Sequence, residues 1–340
     1  MGLTTFAARA RGFVLPLLLL ASVFGADAAT RPPRDPKPAW TLVELGELTP
    51  GGGAIPQGMN DRGDIVGYSR TADGNIHPFL WQNGVMRDLG RPPGAEPNSG
   101  ATAVSDDGVV IANDNENGPF TWRDGQWTAL PFAGHMSDIN KKHAIVGVWQ
   151  NHVGGGRAFM YQEGVFRDIG TLGGPTSNAQ GVNDKGVIVG VSQAWGTGDF
   201  HAFTYEGGRM RDLGTLGGNS SIAHGINDRG LIVGESEEPG GRRVSFVSDG
   251  RTMRRLFDAP GSTHSALAIN NAGAIIGNID DTTYLYEKGV PTRLDTLDVF
   301  RNAGWTRVFA MDINDHGWIT GWGWRAGGPV TGVAFLLIPR

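Results

Sequence analysis

Short runs of alternating polar and apolar residues, separated by glycine-bearing turns, fill the chain from about residue 40 onward. Ser221 to Ile226 alternates in polarity and predicts a strand. Asn227-Asp228-Arg229-Gly230 predicts a hairpin turn, because Asn and Asp side chains bond nearby backbone and Gly accepts a positive φ. Leu231 to Glu235, rich in β-branched residues, predicts a second strand. A variable connection leads to an aromatic third strand, and a tight turn such as Asp249-Gly250 leads to a fourth. No segment after the first thirty residues sustains a helical period.

This unit recurs seven times. Its Asn anchor stands at Asn60, Asn140, Asn183, Asn227, Asn270 and Asn314, with Ser105 once in its place, at successive spacings of 45, 35, 43, 44, 43 and 44 residues. An aromatic segment follows each anchor, as in His77-Pro78-Phe79, Arg157-Ala158-Phe159 and His201-Ala202-Phe203. Four antiparallel strands per repeat of this length is the footprint of a propeller blade. The two ends choose between a closed ring and an open stack. Thr41 to Leu48 matches a fourth strand and Val333 to Ile338 a third, so the N-terminal strand completes the last blade and removes an exposed edge. The predicted fold is all-β, a seven-bladed β-propeller of four-stranded antiparallel blades over residues 40–340, with a stacked β-solenoid as its rival.

The first segment is an address. Arg9 and Arg11 precede an apolar run from Phe13 to Val23, and Ala26-Asp27-Ala28 offers a small-residue cleavage site. Residues 1–28 therefore read as a signal peptide and 29–39 as a Pro-rich linker. The expected location is outside the cytoplasm, periplasmic or extracellular, with no membrane span after cleavage. The chain has no Cys, so no disulfide staples it and a large core must. Glycine, at 54 of 340 residues, is about twice its usual share but follows no three-residue period, which excludes collagen. A net charge of −5 argues against nucleic acid as a general partner.

His201-Ala202-Phe203, the Asn-Asp-x-Gly anchors and Leu213-Gly214-Thr215-Leu216-Gly217-Gly218 resemble the bacterial extracellular repeats named HAF after their His-Ala-Phe tripeptide. The resemblance spans about residues 41–338; Ser105 and Ala112 in the second copy, and Lys142-His143 in the third, depart from the pattern. It implies an exported bacterial protein and brings no catalytic residues with it.

A group repeated in every blade is poorly suited to be a nucleophile or metal ligand, since the ring has one axis. The turn residues Asn60, Asp61, Gly63, Asn183, Asp184, Gly186, Asn227, Asp228, Gly230, Asn314, Asp315 and Gly317 are accordingly expected to be structural. So are Asp88, Asp168 and Asp212, each preceded by Arg, as hydrogen-bond or ion-pair positions between blades. Asp114-Asn115-Glu116-Asn117 lacks the spacing of a calcium loop, Asp280-Asp281 suits a hard cation but reads better as a solvated turn, and no His pair has zinc spacing, so neither metal nor cofactor is expected.

Specificity should lie where the repeat breaks. Trp149, Trp195, Trp305, Trp322 and Trp324, with Arg307 and Arg325, fall in variable segments on the face carrying the longer loops. Such Trp either meet a glycan or protein partner or pack between blades. The favoured function is a monomeric, non-enzymatic binding or scaffold protein. The alternative is a hydrolase or lyase at the axial mouth, drawing on Gln57, His135, Asp138, Gln180, His224, His264 and Asp312.

Overall fold

The computed structural model describes residues 39–114, 118–150, 155–327 and 331–340. The signal peptide, nearly all of the linker, Asn115-Glu116-Asn117 and residues 151–154 lie outside the described residues. Seven four-stranded antiparallel sheets form the ring. Blade 1 runs from its inner strand Ala54–Met59 through Ile65–Arg70 and Ile76–Gln82 to its outer strand Val85–Asp88. The next five blades repeat that order over residues 99–129, 134–170, 173–212, 221–255 and 264–293. Blade 7 takes its first three strands from Trp305–Ile313, Ile319–Arg325 and Val333–Pro339, and its outer strand from Trp40–Glu44. The closing register runs from Trp40 opposite Pro339 to Glu44 opposite Phe335. The ring excludes the open solenoid, and closure covers the third strand of blade 7 with the N-terminal strand.

The aromatic segment and the Gly of the second strand form one packing unit. Phe79, Phe159, Phe203, Phe246, Tyr284 and Phe335 are all fully buried. Each lies opposite a glycine of the second strand, Gly67, Gly147, Gly190, Gly234, Gly277 or Gly321 in turn. A Cβ at any of these six would come within 2.1 Å of an inner-strand carbonyl oxygen. Every inner strand carries a bulge at that level, which presses its backbone onto the second strand, so only glycine fits without a shift. Blade 2, with Ala112 opposite Phe120, is the departure.

The first residue of the tripeptide also has a physical role. His201 Nδ1 meets Asp212 Oδ2 at 2.8 Å, His77 meets Asp88 at 3.1 Å, and Arg157 Nε donates to Asp168 at 2.7 Å. These pairs join the third and outer strands of one blade. The expectation of contacts between blades is thus corrected: the strand-three His or Arg lies on the same sheet face, eleven residues away, and captures the carboxylate first. Each Asp also accepts a backbone N–H two residues on, from Gly90, Gly170 or Gly214.

One segment escaped the strand pattern. A 3-10 turn at Leu294–Thr296 and a five-residue helix, Asp298–Asn302, connect blades 6 and 7. Phe300 of that helix is fully buried, with ring centroids 5.4 Å from Trp305 and 5.0 Å from Phe335, both edge to face.

Candidate functional site

Inner strands run from the loop-rich face to the Asn-Asp-x-Gly turns, so those turns crowd around one mouth of the axial channel. Each anchor Asn accepts two N–H bonds within its own turn, as Asn227 Oδ1 does from Arg229 and Leu231. Its amide then donates to the next blade. Asn140 reaches the Asn183 carbonyl, Asn183 that of Asn227, Asn227 that of Asn270, Asn270 that of Asn314, and Asn314 that of Asn60, all at 2.8–3.2 Å. Asn60 continues to Ser105, whose hydroxyl serves its own turn instead.

The following residue builds a second ring. The backbone N–H of Asp315 donates to Asp61, that of Asp61 to Asp106, Lys141 to Asp184, Asp184 to Asp228, Asp228 to Asn271, and Asn271 to Asp315, at 2.7–3.0 Å. Lys141 stands where an acceptor would complete the circle. Its ammonium instead lies 3.2, 3.1 and 3.5 Å from Asp61, Asp106 and Asp184, and against the effect of burial Asp106 and Asp61 raise its pKa. The place a cation would take among five carboxylates is thus occupied by the chain itself.

Beneath the ring, a cavity of about 210 Å³ holds Asp138 and Asp312. At their level the other blades carry Gly58, Ala103, Gly181, Gly225 and Ala268, two residues before each anchor. Asp138 accepts the N–H of Ile139 and, across the blade junction, of Val182, at 2.8 and 2.9 Å. Asp312 accepts those of Ile313 and Met59, both at 2.8 Å. Enclosure by protein pushes Asp138 up to about 6 and Asp312 up to about 7, against these hydrogen bonds, with the mutual repulsion of the two carboxyls adding to the rise at Asp312. Both residues were legible as carboxylates on inner strands. Lys141 was missed, though its departure from Asp61, Asp184, Asp228 and Asp315 was the available signal.

The loop-rich face divides the sequence-selected residues. Trp195 is 82% exposed, on the connection after the second strand of blade 4. Trp322 and Trp324 lie half-buried on the second strand of blade 7 and join Phe309 of its inner strand. Phe309 stacks on Trp322 at 5.2 Å, and Trp324 meets Trp322 edge-on at 4.7 Å. Arg307, two register positions along and opposite Trp324, is exposed.

One expectation is corrected, and two more of the selected residues are placed. Trp305 is not a surface residue: it is buried against Phe300 and Phe335, because the connecting helix folds over it. Trp149 is half-buried, edge-on to Phe166 at 5.6 Å. Arg325 is engaged by both nitrogens with Glu44 at 2.8 and 3.0 Å, and so ties the N-terminal strand into blade 7.

His264 proves structural in geometry. Its Nδ1 accepts the Ser245 N–H at 2.9 Å, the task that Ser177 and Ser221 perform for Ala158 and Ala202 in other blades. Burial and the nearby Arg242 and Arg255 push it down to about 4. Gln57, Gln180 and His224 are half-buried bulge residues of three different inner strands, and His135 is exposed at the start of another. Gln57 and His135 line one cavity, with Tyr68 and Asn113, apart from Gln180 and His224. Among the described residues, no group of three His, Asp or Glu is arranged to hold a metal, and no helix is long and apolar enough to cross a membrane.

No family model and no curated protein matches the chain. Solved propellers share its shape. The puromycin-hydrolyzing peptidase of Mycobacterium tuberculosis superposes with a TM-score of 0.56 at 11% identity, over 79% of this chain and 48% of that one. The β-propeller domain of the Trilobed protease from Pyrococcus furiosus gives 0.55 at 11%, over 84% and 93%. The extracellular domain of the hybrid two-component system BT4673 from B. thetaiotaomicron gives 0.56 at 12%, over 87% and 40%. The chain spans under half the length of the peptidase. At such identities the likeness is one of fold: this chain is a seven-bladed β-propeller similar to domains found in peptidases and in the extracellular domain of a two-component system.

Proposed function

We propose that the chain is an exported, monomeric, non-enzymatic binding or scaffold protein that presents its loop-rich face to a glycan or protein partner. One observation carries this reading: the half-exposed cluster of Phe309, Trp322 and Trp324 beside Arg307. Tyr68, Asn113, Val148, Val191, Glu235 and Asn278 hold the place of Trp322 in the other blades, so the platform is unique to one blade. Half-exposed aromatic rings with a cation at their edge suit sugar faces and the anchor side chains of proteins. Residues 1–28 and the likeness to the HAF repeats support export. The test is a glycan array together with a pull-down from the producing cell's envelope, using wild type and Trp322→Ala. The variant should keep the fold and lose the captured ligand; equal capture by both proteins refutes the assignment.

A hydrolase or lyase at the axis is the second reading, favoured by Asp138 and Asp312, whose values near neutrality suit proton transfer. Both oxygens of each already hold backbone N–H groups, which places binding first. Turnover of a peptide or glycoside substrate that disappears in Asp312→Asn would reverse that order.

A further inference from the structure

A cleft between blades 4 and 5 opens on the turn face, away from the aromatic platform. Its cavity of about 400 Å³ is lined by Lys185, Arg209, Arg211, Arg229 and Arg251, with Glu206 and Asp249 as the carboxylates. Among the described residues none of these five cationic side chains has an ion pair or hydrogen bond. Several other arginines are ion-paired, as in Arg62 with Asp64, Arg157 with Asp168 and Arg325 with Glu44. Asp249 is committed to its own turn, accepting the N–H groups of Arg251 and Thr252 at 2.9 and 2.8 Å. In a chain of net charge −5, five unpaired cations in one cleft call for a reason.

Two of the five lie outside the repeat, whereas Lys185 and Arg229 recur as Arg62 and Lys142, and Arg211 recurs as Arg87 and Arg167. Arg209 lies opposite Glu206 in the strand register, at a position that Val85, Gln126, Val165 and Val290 fill in other blades. Arg251 stands where the corresponding turns carry Gly84, Gly125, Gly164, Gly208 and Gly289. No aromatic ring lines the cleft, so it offers no stacking surface to nucleobases. Four of the five cations are guanidinium forks, which match phosphate oxygens two at a time. The cleft carries three more positive than negative side chains. Two adjacent phosphate groups, at roughly −1.5 to −2 each, match that excess in one compact ligand.

We propose that this cleft binds a ligand bearing two adjacent phosphate groups, either a soluble diphosphate or a diphosphate lipid headgroup. The test uses the full chain and calorimetric titration with pyrophosphate at low and high salt. Arg209→Val and Arg251→Gly install residues that other blades already carry, and their melting temperatures confirm folding. Wild type should bind saturably, more weakly at high salt, and each variant should weaken binding by about tenfold or more. Phosphatidylcholine vesicles doped with a prenyl diphosphate distinguish the sources: co-sedimentation assigns the headgroup, and pyrophosphate binding without it assigns a soluble ligand. Absence of saturable pyrophosphate binding, affinity unmoved by both variants, or equal binding of citrate overturns the proposal.

Discussion

Replacing Lys141 by Met tests whether the carboxylate ring depends on its internal counterion. The ammonium is 3.1–3.5 Å from three carboxylates, and its side chain is 47% exposed. Exposed pairs are worth about 0.2–1 kcal/mol each, so three of them acting on one half-exposed cation suggest about 1–3 kcal/mol. Met keeps most of the stem's packing, which isolates the charge. A 2 kcal/mol loss in a domain near this size lowers the melting temperature by roughly 3 °C. The loss should shrink at about 1 M salt, where the Debye length is roughly 3 Å. Lys141→Asn provides the counter-experiment. It removes the charge but supplies the amide oxygen that Asn271 uses in blade 6, and so can accept the Asp106 N–H and complete the ring. The assay is thermal unfolding of all three proteins at low and high ionic strength. If Lys141→Met melts with wild type, or loses the same stability at both salts, the ammonium does not hold the ring. If Lys141→Asn is as stable as wild type, the missing hydrogen bond matters as much as the charge.

The folded-state carboxyl of Asp312 titrates at about 7 against an ordinary 3.8, so its contribution to stability is full at low pH and is lost as pH rises through 7. Relative to Asp312→Asn, wild type should lose about 2–3 kcal/mol between pH 5 and pH 8 in denaturant unfolding; a constant difference would show that the carboxyl is not buried as described. Gly230 has φ +82° and open space around its Cβ direction, so Gly230→Val should cost about 1–3 kcal/mol through backbone strain alone, and an unchanged melting temperature refutes that conformation. Trp305→Ala should cost roughly 3–5 kcal/mol as a core truncation, whereas Trp195→Ala should melt with wild type; the reverse ranking would contradict their placement.

Architecture was legible in the chain because each blade is a local unit. Alternating polarity, Asn-Asp-x-Gly turns and the aromatic segments repeat within about 45 residues, and the two unmatched ends imply closure. The strand Ser221–Ile226 lies at its expected bounds, and the N-terminal strand pairs where the repeat places it. The candidate sites were less legible, because a site on a ring is made by residues from several blades. Trp305 and Trp195 both sit in segments that break the repeat, yet one lies under a helix that packs across the blade and the other at a loop tip. Asp138, Asp312 and Lys141 are isolated departures along the chain; only the ring sets the two carboxyls together below one ammonium. Arg209 and Arg251 are likewise 42 residues apart in sequence and meet across one blade junction. Local hydrogen bonding determined the blade, whereas closure of the ring decided which charges face one another and which aromatic rings reach solvent.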